Sequence, residues 1–569
     1  MTNFTKQGLR LMALTAVFFI TSALYFPFTD VGKETEQYSF ANPPMCAPST
    51  VFQFEESAEG VALAPVLNYN WDHNFPVTTK SAEAQKFFNQ GLFFTFAFNH
   101  AEAERAFREA ARLDPDCAMA HWGIALSLGP NINRPMQKSV MADAYAESRE
   151  AMRLRTKCTP KEVAMIEAMA LRYAETPPNN RQSLDQAYAD AMRLVAHQYR
   201  EDVDILALFA ESLMDTTPWN YWNKDGTPKY VTKEIHRTLE YIIAKSPDHP
   251  GANHYYIHAM EEFEPEKAEA SADHLTKSKY VSGHLVHMPS HIYVRLGRYD
   301  DANTANVGGI ALDEEYIEQC QAQGYYPALY YPHNLHFLWF GASMNGQKAL
   351  ATDAADKTAV KGAGQRFQVI PLYSMLRFGE WDKILEQKKP DDNHPYNKVL
   401  WQYAQGMAYA HTDKVTEAKL ALKRVRKLLK SRALKRLPQG FMPFLDLSKV
   451  CELSLASELA GLDNKADEKV SLLAEAVRIQ DGFRYSEPPF FYVEMRQALG
   501  AALLEADRPA EAEEVYRTEL ARFPNNGWSL YGLQKSLEKQ GKSDEAKQTK
   551  AAFERAWAKA DVEITSSVF

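Results

Sequence analysis

Apolar and small residues follow a helical spacing along most of the chain, and this spacing begins abruptly near residue 81. The first unit has a small or apolar residue at each of the positions Phe87, Gly91, Phe94, Ala103, Phe107 and Ala110. Small residues such as Gly91 and Ala103 let two antiparallel helices approach closely, and aromatic residues fill the seam between them. Pro115 ends the second helix, because proline cannot continue the helical hydrogen bonds. The pattern therefore predicts pairs of antiparallel helices.

Comparable units recur later in the chain. They lie around Ser290, Tyr293 and Ala302, around Gly406, Tyr409 and Ala418, around Gly500, Leu503, Ala512, Tyr516 and Pro524, and from Leu530 through Leu537 to Ala546. The spacing matches the tetratricopeptide (TPR) pattern of about 34 residues, in which stacked units bury one another's apolar faces. We therefore expect an all-α fold, a TPR-like α-solenoid, with one superhelix over residues 81–350 and a second over residues 351–569.

The N-terminus carries an apolar run, Leu11–Phe28, which follows the basic residues Lys6 and Arg10. The run is longer than the apolar core of a usual signal peptide and barely long enough to span a bilayer, so a cleaved signal peptide and an uncleaved membrane anchor both remain open. Basic residues before the run keep the N-terminus in the cytoplasm. We therefore predict a signal peptide or membrane anchor over residues 1–28, an extended lead-in over residues 29–80, and an extracytoplasmic location, periplasmic or secreted, for the rest.

Charge and cysteine content exclude several function classes. The net charge of −9 disfavours nucleic acid as a partner, because phosphate binding requires a basic surface. The five cysteines are widely spaced, with no Cys-x-x-Cys, so neither a disulfide framework nor a thiolate zinc site is indicated. Basic residues cluster between Lys419 and Arg436, a pattern typical of a solvated helix face, with membrane association as the alternative.

Histidines are concentrated in one part of the chain. Nine of the 16 histidines lie between His249 and His336. His254 and His258 are four residues apart, as are His287 and His291, so each pair shares one face of a helix. The second pair follows the first by 33 residues, about one repeat, which predicts that the two pairs are neighbours.

This arrangement indicates a transition-metal site, because imidazoles on adjacent helices can share one ion. The predicted ligands are His254, His258, His284, His287, His291, His333 and His336, with Glu261 or Glu262 as a carboxylate ligand. Imidazole ligands suit copper, iron or zinc, and the sequence allows a metal-dependent oxidoreductase or hydrolase. Tyr255 replaces the glutamate of a His-Glu-x-x-His protease, so that class is disfavoured. The alternative is a non-catalytic scaffold whose groove histidines bind a protein or peptide.

Other residues are weaker candidates for the wall of a pocket. His121 is predicted on a first helix, while Trp219, Tyr221 and Trp222 lie in an insertion between units. Aromatic side chains supply contact area for a ligand, but the same residues also suit packing of an insertion against the solenoid. The sequence has no Gly-x-Gly-x-x-Gly, Walker or Gly-x-Ser-x-Gly motif, so nucleotide binding and serine hydrolysis have no support.

Five segments together resemble a group of bacterial TPR proteins of unknown function. They are FNHAEAERAF, PWNYW, HPGANHYYIHAMEE, GHLVHMPSHIYVRLGRYDDA and YYPHNLHF. The resemblance extends from about residue 85 to residue 350. It implies a repeat solenoid and a single site formed by the segments that carry the paired histidines, and it implies no particular reaction.

Overall fold

A computed structural model describes residues 62–320, 322, 324–390, 394–438 and 442–569. These residues form 27 α-helices and no β-strand, which confirms the all-α prediction. Within the same part of the chain, no helix combines the length and the apolar character needed to cross a membrane. The apolar run Leu11–Phe28 lies outside the described residues, so the signal peptide or anchor stays a prediction.

The helices of the N-terminal half are α1 (Ala82–Phe96), α2 (His100–Leu113), α3 (Ala118–Leu128), α4 (Met141–Leu154), α5 (Pro160–Met169), α6 (Gln182–Gln198), α7 (Val203–Thr216), α8 (Tyr230–Lys245), α9 (Pro250–Met260), α10 (Glu269–Lys277), α11 (Gly283–His287), α12 (Pro289–Arg295), α13 (Tyr299–Cys320) and α14 (Tyr331–Met344). A π-helical turn, Tyr326–Tyr330, leads directly into α14. Short 3-10 turns occur at Lys138–Val140, Arg155–Lys157 and Pro265–Ala268.

The helices of the C-terminal half are α15 (Lys348–Lys361), α16 (Gln365–Gln368), α17 (Ile370–Arg377), α18 (Trp381–Glu386), α19 (Pro395–Ala410), α20 (Val415–Leu429), α21 (Arg432–Lys435), α22 (Phe444–Leu462), α23 (Ala466–Asp481), α24 (Met495–Glu505), α25 (Pro509–Arg522), α26 (Gly527–Lys539) and α27 (Ser543–Ala556). Successive helices pack against each other along most of the array. The structure is thus an array of antiparallel helix pairs, as the sequence predicted.

The same packing device occurs near both ends of the array. Phe107 lies between α1 and α3, where a Cβ atom at Gly91 would come within 2.7 Å of its ring and one at Gly123 within 2.3 Å. Tyr516 occupies the corresponding place between α24 and α26, where a Cβ atom at Gly500 would come within 2.4 Å. A larger residue at either glycine would force the helices apart, since helix interiors are close-packed. The small-residue pattern therefore sets the helix spacing.

Residues 62–80 cross α1 and reach α7 and α9 without forming a helix. The Tyr69 ring stacks on Phe93 with a centroid distance of 4.9 Å, and Trp71 contacts the ring of His249 at 6.0 Å. His73 Nε2 lies 2.8 Å from Asp204 Oδ2. This aromatic segment therefore fastens the first helix pair to the helix that carries His254 and His258.

The curvature of the array brings distant parts of the chain together around α9. Helix α1 contacts α9 directly. The segment between α23 and α24 also returns to this region, where the Tyr485 hydroxyl donates to Glu261 Oε2 at 3.3 Å. Arg366 Nη2 donates to the carbonyl oxygen of Glu487 at 2.6 Å and fixes the same segment. Residues from both halves of the chain therefore enclose α9, α11 and α12.

Candidate metal centre

Six imidazoles from three neighbouring parts of the fold meet in the interior of the array. Helix α9 carries two of them, the broken helix α11–α12 carries three, and the start of α14 carries one: His254, His258, His284, His287, His291 and His333. His333 is half-buried, and the other five are between 0% and 3% exposed. Pro289 starts α12 directly after Met288, so the helix is interrupted between His287 and His291, and proline is a common cause of such an interruption.

The first group consists of His254, His258 and His284, whose ligand atoms all lie within 4.8 Å of one another. We call it triad A. The Nε2 atoms of His254 and His284 are 3.1 Å apart. Nitrogen ligands of one tetrahedral zinc ion, each bound at about 2.0–2.1 Å, are about 3.3 Å apart. The two nitrogen atoms are therefore already at the separation that a shared metal ion requires.

The second group consists of His287, His291 and His333, again with ligand atoms within 4.8 Å of one another. We call it triad B. The Nε2 atom of His291 lies 3.0 Å from that of His287 and 3.5 Å from that of His333. These separations bracket the same tetrahedral spacing. Phe337 packs against all three rings, with centroid distances of 4.4–5.0 Å, and holds them in place.

Hydrogen bonds on the outer side of the rings determine which nitrogen faces inward. His254 Nδ1 lies 2.7 Å from the carbonyl oxygen of Phe96, an acceptor only, so Nδ1–H donates. His287 Nδ1 lies 2.7 Å from Asn306 Oδ1, and Asn306 Nδ2 donates to the Ala302 carbonyl oxygen at 2.7 Å. In a neutral imidazole that donates through Nδ1, the lone pair is on Nε2. The outer hydrogen bonds therefore leave a lone pair on the inner nitrogen of each of these two rings, where it faces the Nε2 atom of a neighbouring histidine.

Glu261 connects the two triads through its two carboxylate oxygens. Its Oε1 atom accepts from His258 Nδ1 at 3.0 Å, and its Oε2 atom accepts from His291 Nδ1 at 2.6 Å. The Glu261 residue is 1% exposed. A carboxylate on the far nitrogen of a ligating histidine fixes the ring orientation and makes the other nitrogen a better ligand. Glu261 is placed to do this for one histidine of each triad.

The protonation states of five of the six rings are those in which imidazole binds a metal, and the sixth ring, His291, must release a proton to do so. Burial lowers the pKa far below its usual value in five of the rings: His254, His258, His284, His287 and His333. Burial also opposes protonation of His291, but the charge of Glu261 and hydrogen bonds to Glu261 and Glu487 outweigh it and raise its pKa to about 9. Five rings are therefore neutral near pH 7, the state in which imidazole binds a metal ion.

One inner nitrogen has no partner at all. His258 Nε2 is buried and makes no hydrogen bond within the described part of the chain. Its ring is neutral and donates through Nδ1 to Glu261, so Nε2 presents a lone pair to the interior. A buried polar atom without a partner costs about 1–3 kcal/mol. A metal ion held with the other two rings of triad A would satisfy this lone pair.

Two residues predicted as ligands lie apart from the triads. The ring of His336 stacks on Trp339 with a centroid distance of 5.5 Å and faces a small cavity beside Arg366 and Tyr373. Glu262 is half-buried, and its backbone carbonyl accepts from Arg295 Nη2 at 3.2 Å. Burial next to Glu261 raises the pKa of Glu262 to about 7. The structure thus places His333 and Glu261 in the cluster, whereas His336 and Glu262 lie outside it.

The four predicted pocket-wall residues also differ in whether they contact the triads. The Trp219 ring meets the His258 ring edge to face at 5.2 Å and is 41% exposed. Trp222 is buried and donates through Nε1 to the carbonyl oxygen of Ala259 at 3.0 Å, and Tyr221 is buried beside it. His121 Nδ1 lies 2.6 Å from Glu147 Oε2, between α3 and α4. Trp219 alone among these four contacts a ring of the triads.

Several residues around the cluster were not predicted from the sequence. Phe98 packs on the rings of His254, His258 and His284, with centroid distances of 4.4–6.0 Å. Glu487 Oε2 lies 3.4 Å from His291 Nδ1. Both residues are far from the histidines in sequence and have no spacing relation to them. Only a dense group of aromatic and acidic residues at 483–494 marks the second segment.

No protein-family model and no curated protein sequence matches the chain. Solved structures with helical similarity include the APC/C hetero-tetramer Cut9–Hcn1, with 12% identity, 83% of this chain and 76% of that chain covered, and a TM-score of 0.30. The human IFIT1 dimer with m7Gppp-AAAA has 11% identity, 85% and 92% coverage and a TM-score of 0.31. The P58(IPK) TPR domain has 13% identity, 82% and 100% coverage and a TM-score of 0.20. Similarities of this size carry no information about function.

Proposed function

We propose that this protein is an exported metalloprotein, in which a TPR-like array encloses a transition-metal centre built from histidines. The observation that carries the proposal is the orientation of the imidazoles. His254 and His287 donate outward through Nδ1 to fixed oxygen acceptors, and their Nε2 atoms face the interior. The buried, unpartnered Nε2 atom of His258 supports the same reading. A metal ion in triad A would satisfy the lone pair of His258, and in each triad it would replace the contact between two inner nitrogen atoms, His254 with His284 and His287 with His291.

The ligand chemistry favours a metal-dependent enzyme, an oxidoreductase or a hydrolase. Three imidazoles in a triad leave at least one position on a four-coordinate ion open, as catalytic sites do and closed structural sites do not. Imidazole nitrogen atoms suit copper, iron and zinc. The half-buried ring of His333 gives the cluster its most exposed edge, where a small ligand can approach.

The alternative, a scaffold whose groove histidines bind a peptide, requires those rings to be accessible. A bound peptide forms hydrogen bonds with donors and acceptors that line an open surface. Here five of the six rings are at most 3% exposed, and Glu261, Phe98 and Phe337 pack against them. Other surfaces of the array remain available to a protein partner, but the histidine cluster suits an ion better than a peptide.

The experiment is a metal analysis of untagged full-length protein and two variants of neighbouring histidines. His333→Leu removes a ring from triad B, whereas His336→Leu removes a buried ring on the same helix that lies outside both triads. Leucine is close in volume to histidine and cannot bind a metal. We expect mass spectrometry to find stoichiometric copper, iron or zinc, lowered by His333→Leu and unchanged by His336→Leu. Protein that contains no such metal and takes none up after chelation and refilling contradicts the proposal.

A further inference from the structure

The six imidazoles form two separate sets of three. Within triad A the shortest distance between inner nitrogen atoms is 3.1 Å, and within triad B it is 3.0 Å. Rings of different triads are also close, with centroid distances of 5.4 Å for His258 with His291 and 5.9 Å for His284 with His287, so the grouping rests on the positions of the ligand nitrogen atoms and not of the rings. In the described part of the chain, the ligand atoms that lie within 4.8 Å of one another are those of the two triads and of a third group, His258, Glu261 and His291, which joins the triads through the carboxylate. The two sets are adjacent but have different centres.

We propose that each triad binds its own first-row transition-metal ion, so that the cluster is a dinuclear centre with two three-histidine sites side by side. This inference rests on the proposed function and adds the number of ions and the ligands of each. A single ion with four tetrahedral ligands would leave two of the six imidazoles without a role. Two ions use all six rings.

The environment supplies the negative charge that two buried cations need. Imidazole binds a metal in its neutral form, so the six rings bring no negative charge to bound ions, and burying an uncompensated cation in a protein interior is costly. Glu261 places one carboxylate oxygen on a ring of each triad, and its position between them lets it compensate both ions. Glu487, from the segment between α23 and α24, adds a second carboxylate beside His291. The charge is thus concentrated where the two triads meet.

The helical framework explains why the triads are distinct. His254 and His258 project from one face of α9, and His284, at the start of α11, faces them. Three residues later, His287 turns away from His254 and toward Asn306 on α13. The break at Met288 then brings His291 back toward both His287 and Glu261. The three histidines of α11–α12 are therefore divided between the triads.

The test counts zinc ions per chain after the full-length protein is stripped with a chelator and refilled with Zn²⁺. We expect two ions in the unmutated protein, one in His284→Leu, one in His333→Leu and two in the control His336→Leu. Circular dichroism on each sample establishes that the helices are retained. One ion in the unmutated protein, or loss of both ions in either folded triad variant, overturns the dinuclear assignment. No ion in the unmutated protein contradicts the proposed function itself, which is a different outcome.

A second measurement uses Cu²⁺ as the probe and tests whether the two ions are neighbours. Paired Cu²⁺ ions in adjacent sites interact magnetically, so the electron paramagnetic resonance signal of the unmutated protein should account for less copper than mass spectrometry finds. In His284→Leu the remaining ion has no neighbour, and its signal should account for all of the bound copper. An unmutated protein whose signal equals two isolated Cu²⁺ ions contradicts the side-by-side arrangement.

Discussion

His254 Nδ1 donates to the carbonyl oxygen of Phe96 at 2.7 Å, across 158 positions of the sequence. Phe96 is the last residue of α1, so the end of the first helix orients a candidate ligand on α9. Fixing the outer nitrogen of a histidine fixes the direction of its inner nitrogen. The stacking of the array and the geometry of triad A are therefore coupled through this contact.

Gly251 tests that coupling, because a Cβ atom there would lie 2.7 Å from the Phe96 ring. We expect Gly251→Ala to push α9 from α1, to cost about 1–3 kcal/mol of stability and to weaken metal binding. The control is Gly461→Ala, where the added Cβ meets only the flexible side chain of Lys469. Thermal unfolding should show a lower melting temperature for Gly251→Ala alone. Equal melting temperatures in the two variants would show that α1 and α9 do not pack this closely.

Glu261 and Glu262 form a matched pair of carboxylates for testing the outer hydrogen bonds. Of these two carboxylates, Glu261 is the one that accepts from rings of the triads, at His258 and His291. Loss of such a partner typically lowers metal affinity about 10–100-fold. We expect Glu261→Gln to lower the Zn²⁺ affinity by that factor in a competition titration, and Glu262→Gln to leave it nearly unchanged. Equal effects of the two substitutions would show that Glu261 has no specific role in positioning the rings.

Asp313 should make the stability of the protein depend on pH. Burial raises the pKa of Asp313 to about 7, although hydrogen bonds with Tyr326 and Asn334 favour its charged form. The unfolded chain has an aspartate pKa of about 3.9, so between about pH 4 and pH 7 the folded protein holds a proton that the unfolded chain has released. The free energy of unfolding therefore falls as the pH rises through this interval, by up to about 4 kcal/mol from this group.

Asp313→Asn removes the titrating group and keeps a side chain that can hydrogen-bond to Tyr326 and Asn334. The free energy of unfolding of the variant, minus that of the unmutated protein, should therefore be larger at pH 8 than at pH 5. The comparison is made by denaturant unfolding of chelated protein, so that loss of metal at low pH does not contribute. A stability difference between the two proteins that is the same at both pH values would show that Asp313 is already ionised at pH 5.

The apolar run Leu11–Phe28 should carry the helical array across the cytoplasmic membrane. A reporter that is active only outside the cytoplasm, fused after residue 80, should be active, because the basic residues Lys6 and Arg10 hold the other end of the run inside. The same fusion without residues 11–28 is the control and should be inactive. If a reporter that works only in the cytoplasm is active in the full fusion, the export prediction is wrong.

Helix pairing could be read from the sequence because it depends on local spacing. Gly91 and Phe107 follow the repeat pattern, and the structure packs the Phe107 ring against Gly91 as that pattern implies. That the two histidine pairs are close together also follows from a local property, the 33-residue offset between His254 and His287. In both cases the relevant contacts join helices that are at most two helices apart in the sequence.

The division into triads could not be read in this way. His284 meets His254 because the packing of α11 against α13 and the contact with the Phe98 ring set the direction of its side chain. Glu487 reaches His291 from a segment almost 200 residues later. Such contacts depend on the curvature of the whole array, and the spacing of residues along one segment does not contain that information.

X-ray absorption at the K-edge of the bound metal tests the central claim most directly, because it identifies the atoms around the ion. For zinc in the refilled full-length protein we expect about three nitrogen neighbours at about 2.0–2.1 Å, with the outer-shell scattering of imidazole rings and no sulfur. His336→Leu should give the same spectrum, and the spectrum of His284→Leu should retain imidazole scattering from triad B. A first shell made of oxygen or sulfur, without imidazole scattering, would show that the metal is bound elsewhere and would contradict the histidine centre.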